Sequence, residues 1–236
     1  MMYSAITHLI VCLFLFIGAA NAAEILRPDG SHEVLITGVI ERGDAKKLAE
    51  VLSWPQADGN PLWVNLASSG GDVLEAMKMG QILREGFIPT SEMALTTDDG
   101  CYGVVEIKQE NLLWPLDADS CGCHSSCFVI WAGGPVRHGN AAVSDGGVDT
   151  IGIHRPKFDK EYFSGLSASE AEEEYRKITD LVTQYLRDMG IPDRYSEKMF
   201  SVSSSNIYLL TKAEIDALRS PPAIAEWFIS KCGKIS

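Results

Sequence analysis

Short apolar runs alternate with amphipathic segments along this chain of 236 residues. The β-branched run from Glu33 to Ile40 predicts a strand, and the apolar spacing over residues 43–52 predicts a helix after it. The same order follows at once, with a buried strand over 62–66 and a helix over 72–85 that Asp72 can cap. Strands followed by helices in repeated order predict an α/β fold.

The second half of the chain carries shorter strand signals and stronger helix signals. Further short strands are predicted over residues 88–95, 140–143 and 150–154, and helices over 127–132 and 194–200. Ser167 and Thr211 each begin a capping box, S-A-S-E and T-K-A-E, ahead of an amphipathic segment. These signals predict a helical C-terminal region.

The first 22 residues differ from the rest of the chain. An apolar run from Leu9 to Ala20 is too short to span a bilayer, and it ends at Ala20-Asn21-Ala22, an A-x-A cleavage pattern. This predicts a secretory signal peptide over residues 1–22, a single domain over 23–236, and a periplasmic or secreted location. Because no Lys or Arg precedes the apolar run, an uncleaved membrane anchor stays open as the alternative.

The charge of the chain limits its partners. The formal net charge is −12, and the sequence has no stripe of basic residues. Nucleic acid and anionic membrane surfaces are therefore not expected as partners. The acidic run over residues 170–174 is interpreted as the solvated face of a helix.

Five cysteines follow the predicted signal, an odd number that leaves one thiol free or paired between molecules. In an exported protein, a disulfide between Cys101 and Cys121 could close the polar segment between them into a loop. Cys123 and Cys127 could form a disulfide around the intervening serines. A zinc site is an alternative, although C-x-C-x-x-x-C lacks the second paired half of a usual structural zinc site. Its ligands would be Cys121, Cys123, His124 and Cys127.

Three segments carry the groups that acyl transfer needs. Ser69-Gly70-Gly71 follows a buried strand, where glycine lets the backbone approach a ligand and helix N–H groups can face an oxyanion. Ser125 and Ser126 begin an apolar helix, whose positive dipole end favours a nearby alkoxide. His154 ends an apolar strand, and a neutral imidazole is the usual base for a serine. Each segment alone also fits a structural role: a tight turn, a helix-capping serine, or a hydrogen-bonded histidine.

Three short motifs stand in a fixed order within residues 34–218. They are S-S-G-G-D-V at 68–73, C-H-S-S-C at 123–127 followed by Gly133-Gly134, and G-I-H at 152–154. In this order the motifs resemble the Clp-protease and crotonase superfamily, and most closely its exported, periplasmic Clp-protease-like branch. The resemblance implies repeated ββα units with a helical C-terminal region. It also implies a homo-oligomer, for which the helix over 169–189 could serve.

The resemblance further implies a role for each site residue. Ser125 aligns with the nucleophile and His154 with the general base. The N–H groups of Ser126 and of the Gly70-Gly71 turn align with the oxyanion hole. The implied reaction is hydrolysis of a peptide or protein substrate through an acyl-enzyme, with neither cofactor nor metal. Ser126 as the nucleophile stays open, although it breaks the spacing to Gly133-Gly134.

The chain departs from the family at the third catalytic residue. The family's aspartate falls near Ser203 to Ser205, where this sequence has no carboxylate. The candidate substitutes are Asp180, Asp193, Glu197, Asn206 or a serine. A Ser–Lys dyad would instead need Lys157, Lys160 or Lys177, and no local pattern marks any of them.

Three functions therefore stay open. The retained serine, histidine and glycines favour an exported serine peptidase. The missing aspartate favours a catalytically inactive Clp-like module that binds a peptide or partner, because a poorly held histidine is a poor base. A crotonase-type acyl-CoA enzyme is disfavoured, since export would separate the protein from that cytosolic cofactor.

Overall fold

This computed structural model describes residues 23–55, 59–92, 94–95, 101–102, 122–139, 151–158 and 162–219. These residues include ten strands and six helices. The strands are β1 (Glu24–Leu26), β2 (Glu33–Ile40), β3 (Trp63–Gly71), β4 (Thr90–Glu92), β5 (Ala94–Leu95), β6 (Cys101–Tyr102), β7 (Cys123–His124), β8 (Arg137–His138), β9 (Ile151–Ile153) and β10 (Tyr208–Leu209). The helices are α1 (Asp44–Leu52), α2 (Val73–Glu85), α3 (Ser126–Gly133), α4 (Ala168–Asp188), α5 (Asp193–Ser201) and α6 (Lys212–Leu218). The predicted α/β class is confirmed by this mixture of strands and helices.

Eight of the strands form one mixed sheet, while β5 and β6 pair with each other. Strand β3 lies at its centre, parallel to β2 along one edge. The other edge of β3 is divided: residues 64–66 pair with β4, and Ser68 pairs with β7. Strand β9 lies parallel to β7, and β10 runs antiparallel to β9. The parallel order β3–β7–β9 brings the carboxyl ends of these three strands to one edge, where α/β proteins commonly bind ligands.

Helix α3 is the most deeply buried helix of the described chain, and α2 packs directly against it. The two helices touch through Gly80 and Gly133, because a Cβ atom on Gly133 would lie only 2.4 Å from the Gly80 Cα. Every residue of α3 is buried. Core packing thus fixes the first turn of α3, which contains Ser126 and directly follows Ser125.

Two buried arginines connect α3 to the C-terminal helices. Arg137 donates hydrogen bonds to the carbonyls of Ala132, Met189 and Leu218, at or beside the ends of α3, α4 and α6. Arg84 donates to the first two of these carbonyls. Burial lowers the pKa of Arg137 to about 9, so it stays charged at neutral pH. Carbonyls at helix C-termini carry partial negative charge, and they compensate the two buried cations without a carboxylate.

The helix predictions are confirmed. Asp72 caps α2, and its side chain accepts a hydrogen bond from the Glu75 N–H at 2.9 Å. Ser167 and Thr211 form the predicted capping boxes of α4 and α6. Within the described residues, no helix has the length and apolar character needed to cross a membrane.

The strand predictions need correction. The strand predicted over 62–66 continues to Gly71, so the glycine pair ends β3 and does not form a separate turn after it. The strand predicted over 88–95 is two short strands, β4 and β5, in different sheets. Strands β1, β6, β7, β8 and β10 were not predicted. The predicted strand over 140–143, the signal peptide over 1–22 and the proposed Cys101–Cys121 bridge fall wholly or partly outside the described residues.

Candidate active site

A cavity of about 780 Å³ opens at the carboxyl ends of β2 and β3. Four of the five predicted site residues line it: Gly70, Gly71, Ser125 and His154. The other lining residues are Val39, Ile40, Glu41, Arg42, Ser69, Asp72, Val73, Leu74, Lys157, Phe158, Tyr162 and Ser204. The fifth predicted residue, Ser126, follows Ser125 as the first residue of α3.

Ser125 occupies a sharp turn between β7 and α3. Its φ of 57° and ψ of −120° resemble the first central residue of a type II′ turn, a conformation that favours glycine. A side chain held there costs on the order of 1–3 kcal/mol and is characteristic of functional sites. Two backbone bonds hold the turn, from Ser125 N–H to the Gly152 carbonyl at 2.8 Å and from Phe128 N–H to the Ser125 carbonyl at 3.0 Å.

The Ser125 side chain is not a structural cap. Although Ser125 is the N-cap residue of α3, its hydroxyl makes no capping hydrogen bond to the helix. The residue is 8% exposed and lines the cavity. The helix-capping interpretation of this serine is therefore wrong, and the hydroxyl remains available at the positive end of a buried helix.

A disulfide brackets this turn. The sulfur atoms of Cys123 and Cys127 lie at bonding distance, 2.11 Å, and both residues are fully buried. The predicted pairing is confirmed, and it removes both thiols as zinc ligands. Across the described residues, no cluster of three or more His, Cys, Asp or Glu side chains could hold a metal ion.

We expect Cys123 and Cys127 to resist alkylation in the unreduced, denatured protein and to be alkylated after reduction. Peptide mapping by mass spectrometry reads both states, and the fully reduced sample is the control. Because the bridge closes a short loop, replacing both cysteines by alanine should lower the unfolding free energy by about 2 kcal/mol. Alkylation of both residues without reduction would contradict the assignment.

The glycine pair brings the end of β3 against the serine turn. A Cβ atom on Gly70 would lie 2.7 Å from Ser125 Cβ and 3.0 Å from the Ser126 nitrogen, so only glycine fits. The Ser126 hydroxyl donates to the Gly71 carbonyl at 2.8 Å, which ties α3 to β3. This bond commits the Ser126 side chain to a structural role.

The predicted oxyanion donors differ in their availability. The Gly70 N–H donates to Ser68 Oγ at 3.1 Å, so it is occupied within β3. The Ser126 N–H lies in the first turn of α3, where the helix leaves its N–H groups unpaired. The remaining glycine donor for the predicted oxyanion hole is Gly71, which also lines the cavity.

His154 directly follows β9 and is oriented by the main chain. Its Nδ1 lies 2.8 Å from the carbonyl oxygen of Arg155. A carbonyl only accepts hydrogen bonds, so Nδ1 carries the proton and Nε2 is left as the acceptor. The Arg155 N–H in turn donates to the Val202 carbonyl at 3.1 Å, and Pro156 restricts Arg155 to extended backbone. This tautomer is the one that a general base requires.

None of the proposed carboxylates orients this histidine. Asp193 is paired with Arg187, at 2.6 Å between Oδ1 and Nε, and neither Asp180 nor Glu197 lines the cavity. Ser204 does line it, within residues 203–205, where the resemblance to Clp proteases would place an aspartate. Within the described part of the chain, no hydrogen bond joins Ser125 Oγ to the His154 ring. Such contacts are often long in free enzymes and shorten with substrate.

Two alternative bases near the Ser125 turn, His124 and Lys157, are less suited to the role. His124 does not line the cavity: its ring packs against Gly152, since a Cβ atom there would lie 2.9 Å from His124 Cδ2. Burial, and next the charge of His154, lower the pKa of His124, which keeps its ring neutral at neutral pH. Lys157 lines the cavity but is exposed, whereas a lysine base works when desolvated.

The sequence did not indicate the outer wall of the cavity. Arg42 follows β2, whereas Lys157, Phe158 and Tyr162 follow β9, and all four line the cavity. No motif marks this set, because Arg42 lies more than a hundred positions from the other three residues in sequence. They meet only through the order of the strands. Comparison of the sequence with models of known protein families and with curated proteins finds no match. The candidate site therefore stands on its own geometry.

Proposed function

We propose that this protein is an exported serine peptidase with Ser125 as nucleophile and His154 as general base. The observation that carries the proposal is the Ser125 turn: a strained serine with an uncapped hydroxyl, at a helix N-terminus, facing the same cavity as a histidine with a free Nε2. A strained turn that presents a serine in this way is characteristic of hydrolase nucleophiles. The order of the three motifs, which resembles that of Clp-protease-like proteins, also supports the proposal.

The proposed reaction uses main-chain and side-chain groups of this chain. Ser125 Oγ attacks the carbonyl carbon of the scissile peptide bond while Nε2 of His154 takes the hydroxyl proton. The N–H groups of Ser126 and Gly71 stabilise the resulting oxyanion. The C–N bond then breaks, and the amine leaves with the proton from Nε2. Water, deprotonated by the same histidine, hydrolyses the acyl-enzyme and regenerates the serine.

A second candidate is a catalytically inactive module that binds an extended peptide in the same cavity. The observation that favours it is the environment of His154, whose partner is the neutral Arg155 carbonyl. A carbonyl fixes the tautomer but stabilises the imidazolium less than a carboxylate does. This module would retain the cavity and bind peptide without cleaving it.

The two candidates differ in reactivity toward a fluorophosphonate probe. We expect the purified mature protein to form a covalent adduct that peptide mapping locates on Ser125. The matched control is Ser126→Ala, which removes the neighbouring hydroxyl but keeps its N–H, and it should still be labelled. An adduct on Ser126 would identify the other serine as the nucleophile. A folded protein that binds peptide but is never labelled would instead be the inactive module.

A further inference from the structure

The cavity carries two cations that lie outside the proposed chemistry. Arg42 and Lys157 both line it, and both side chains are exposed. Among the ion pairs and side-chain hydrogen bonds recorded for the described residues, neither takes part in any. By contrast, Lys47, Lys78, Lys177, Arg187, Lys212 and Arg219 each contact a carboxylate.

The same cavity lining also carries two carboxylates, Glu41 and Asp72. Asp72 Oδ1 accepts the Glu75 N–H at 2.9 Å and faces the positive end of α2. The charge of Glu41 contributes to the raised pKa of Lys47, whose main cause is its hydrogen bond to Asp44. The lining thus holds two cations and two carboxylates; Asp72 is fixed by the cap of α2, whereas Arg42 and Lys157 are exposed and can meet a carboxylate of a bound chain.

An aromatic surface stands beside these cations. Phe158 and Tyr162 line the cavity with ring centroids 5.0 Å apart. Phe163 and Tyr175 meet Phe158 edge-on at 5.5 Å and 6.0 Å, so the surface is supported from behind. Burial raises the pKa of the Tyr162 hydroxyl, with smaller contributions from acidic neighbours, and Arg42 opposes that shift, which puts Arg42 within electrostatic range of the phenol. Paired rings of this kind provide an apolar contact surface at low entropic cost.

We propose, on the basis of the peptidase or peptide-binding function above, that this cavity selects peptides that present a carboxylate to Arg42 and Lys157 beside an apolar side chain on Phe158 and Tyr162. The net charge of −12 disfavours acidic peptides at long range. Arg42 and Lys157 oppose this effect only where they contact the bound chain, and pairing with them fixes its register. The carboxylate comes either from an acidic side chain or from the C-terminus of the peptide.

The test uses matched peptides that differ in one charge. A phenylalanine-containing peptide carries Glu or Gln at successive positions, and each version is made with a free or an amidated C-terminus. Affinity for the Ser125→Ala protein is measured by fluorescence anisotropy, and kcat/KM is measured with the unmodified protein. We expect about a fivefold preference for the charged member of one pair, as two partly exposed ion pairs provide. The preference should fall as salt rises from about 20 to about 500 mM.

The Arg42→Gln/Lys157→Gln variant should lose this preference. Its matched control is Arg176→Gln/Lys212→Gln, which makes the same charge change on exposed faces of α4 and α6, outside the cavity lining, and should keep it. A preference only for the free C-terminus identifies the terminal carboxylate, and a preference only for Glu identifies a side chain. Equal affinity for all members, or a preference that survives the cavity variant, overturns the proposal. Charge-selective binding without cleavage or phosphonate labelling would reject the peptidase while leaving this inference intact.

Discussion

Replacing His154 by glutamine is expected to slow phosphonate labelling and peptide hydrolysis by about a thousandfold, or about 4 kcal/mol of transition-state stabilisation. Glutamine keeps a polar side chain of similar reach but cannot take the proton from Ser125. The Ser125 turn is held by its disulfide and backbone hydrogen bonds, which do not involve the histidine ring. The loss should therefore fall on the chemical step, with peptide affinity of the variant retained. The measurement is the rate constant of labelling at saturating probe.

The control for this prediction is His124→Gln. His124 adjoins Ser125 in sequence, but its ring packs against Gly152 and does not line the cavity. It should keep the labelling rate within about tenfold, the scale of an indirect effect on positioning. Circular dichroism and urea unfolding establish that both variants are folded. If His124→Gln abolished labelling while His154→Gln did not, the assignment of the base would be wrong.

The main-chain partner of His154 explains how the site could work without an aspartate. The Arg155 carbonyl holds Nδ1, and the Val202 carbonyl holds the Arg155 N–H. Position 202 directly precedes residues 203–205, where the resemblance to Clp proteases would place a carboxylate. The residue before that segment thus holds the backbone of Arg155, whose carbonyl contacts the histidine. A carbonyl carries no full charge, so proton transfer to His154 should be less favourable than beside a carboxylate.

Local signals were enough to predict the longer elements. Asp72, Ser167 and Thr211 were recognised as helix caps because each cap is made within three residues of its own helix. The unpredicted strands β1, β6, β7, β8 and β10 are two or three residues long, which is too short for an alternating pattern to be visible. Their existence depends on pairing with strands distant in sequence or across a loop, namely β2, β3, β4, β5 and β9, which no local pattern indicates.

Motifs in the sequence predicted four of the residues that line the cavity, but not the backbone contacts around them. Ser125, His154 and the glycine pair were found from their motifs. The orienting group of His154 is a carbonyl, which every residue possesses, and the only local clue was Pro156 after Arg155. The left-handed backbone of Ser125 has no sequence signature either. It is imposed by the disulfide, the hydrogen bond to Gly152 and the close approach of Gly70.

Gly70→Ala is expected to lower both activity and stability, because a single methyl group would separate the strand from the serine turn. The added Cβ would lie 2.7 Å from Ser125 Cβ and 2.9 Å from the His124 carbonyl. The φ of +104° should cost about 1–2 kcal/mol for any side chain. Overpacking against backbone should add about 1–3 kcal/mol. Since displacing a nucleophile by about 1 Å can cost about a hundredfold in rate, phosphonate labelling should slow by at least that factor.

Gly165→Ala separates the effect of backbone strain from the effect of overpacking against the Ser125 turn. Gly165 also has a left-handed backbone, with φ +84°, but a Cβ atom there would meet nothing within 4 Å. Alanine at 165 should therefore lower the urea midpoint through backbone strain alone and leave the labelling rate unchanged. The excess loss of stability at Gly70, together with the loss of labelling, then measures the contact between β3 and the Ser125 turn. Equal effects of the two variants on both readouts would show that this contact does not position the nucleophile.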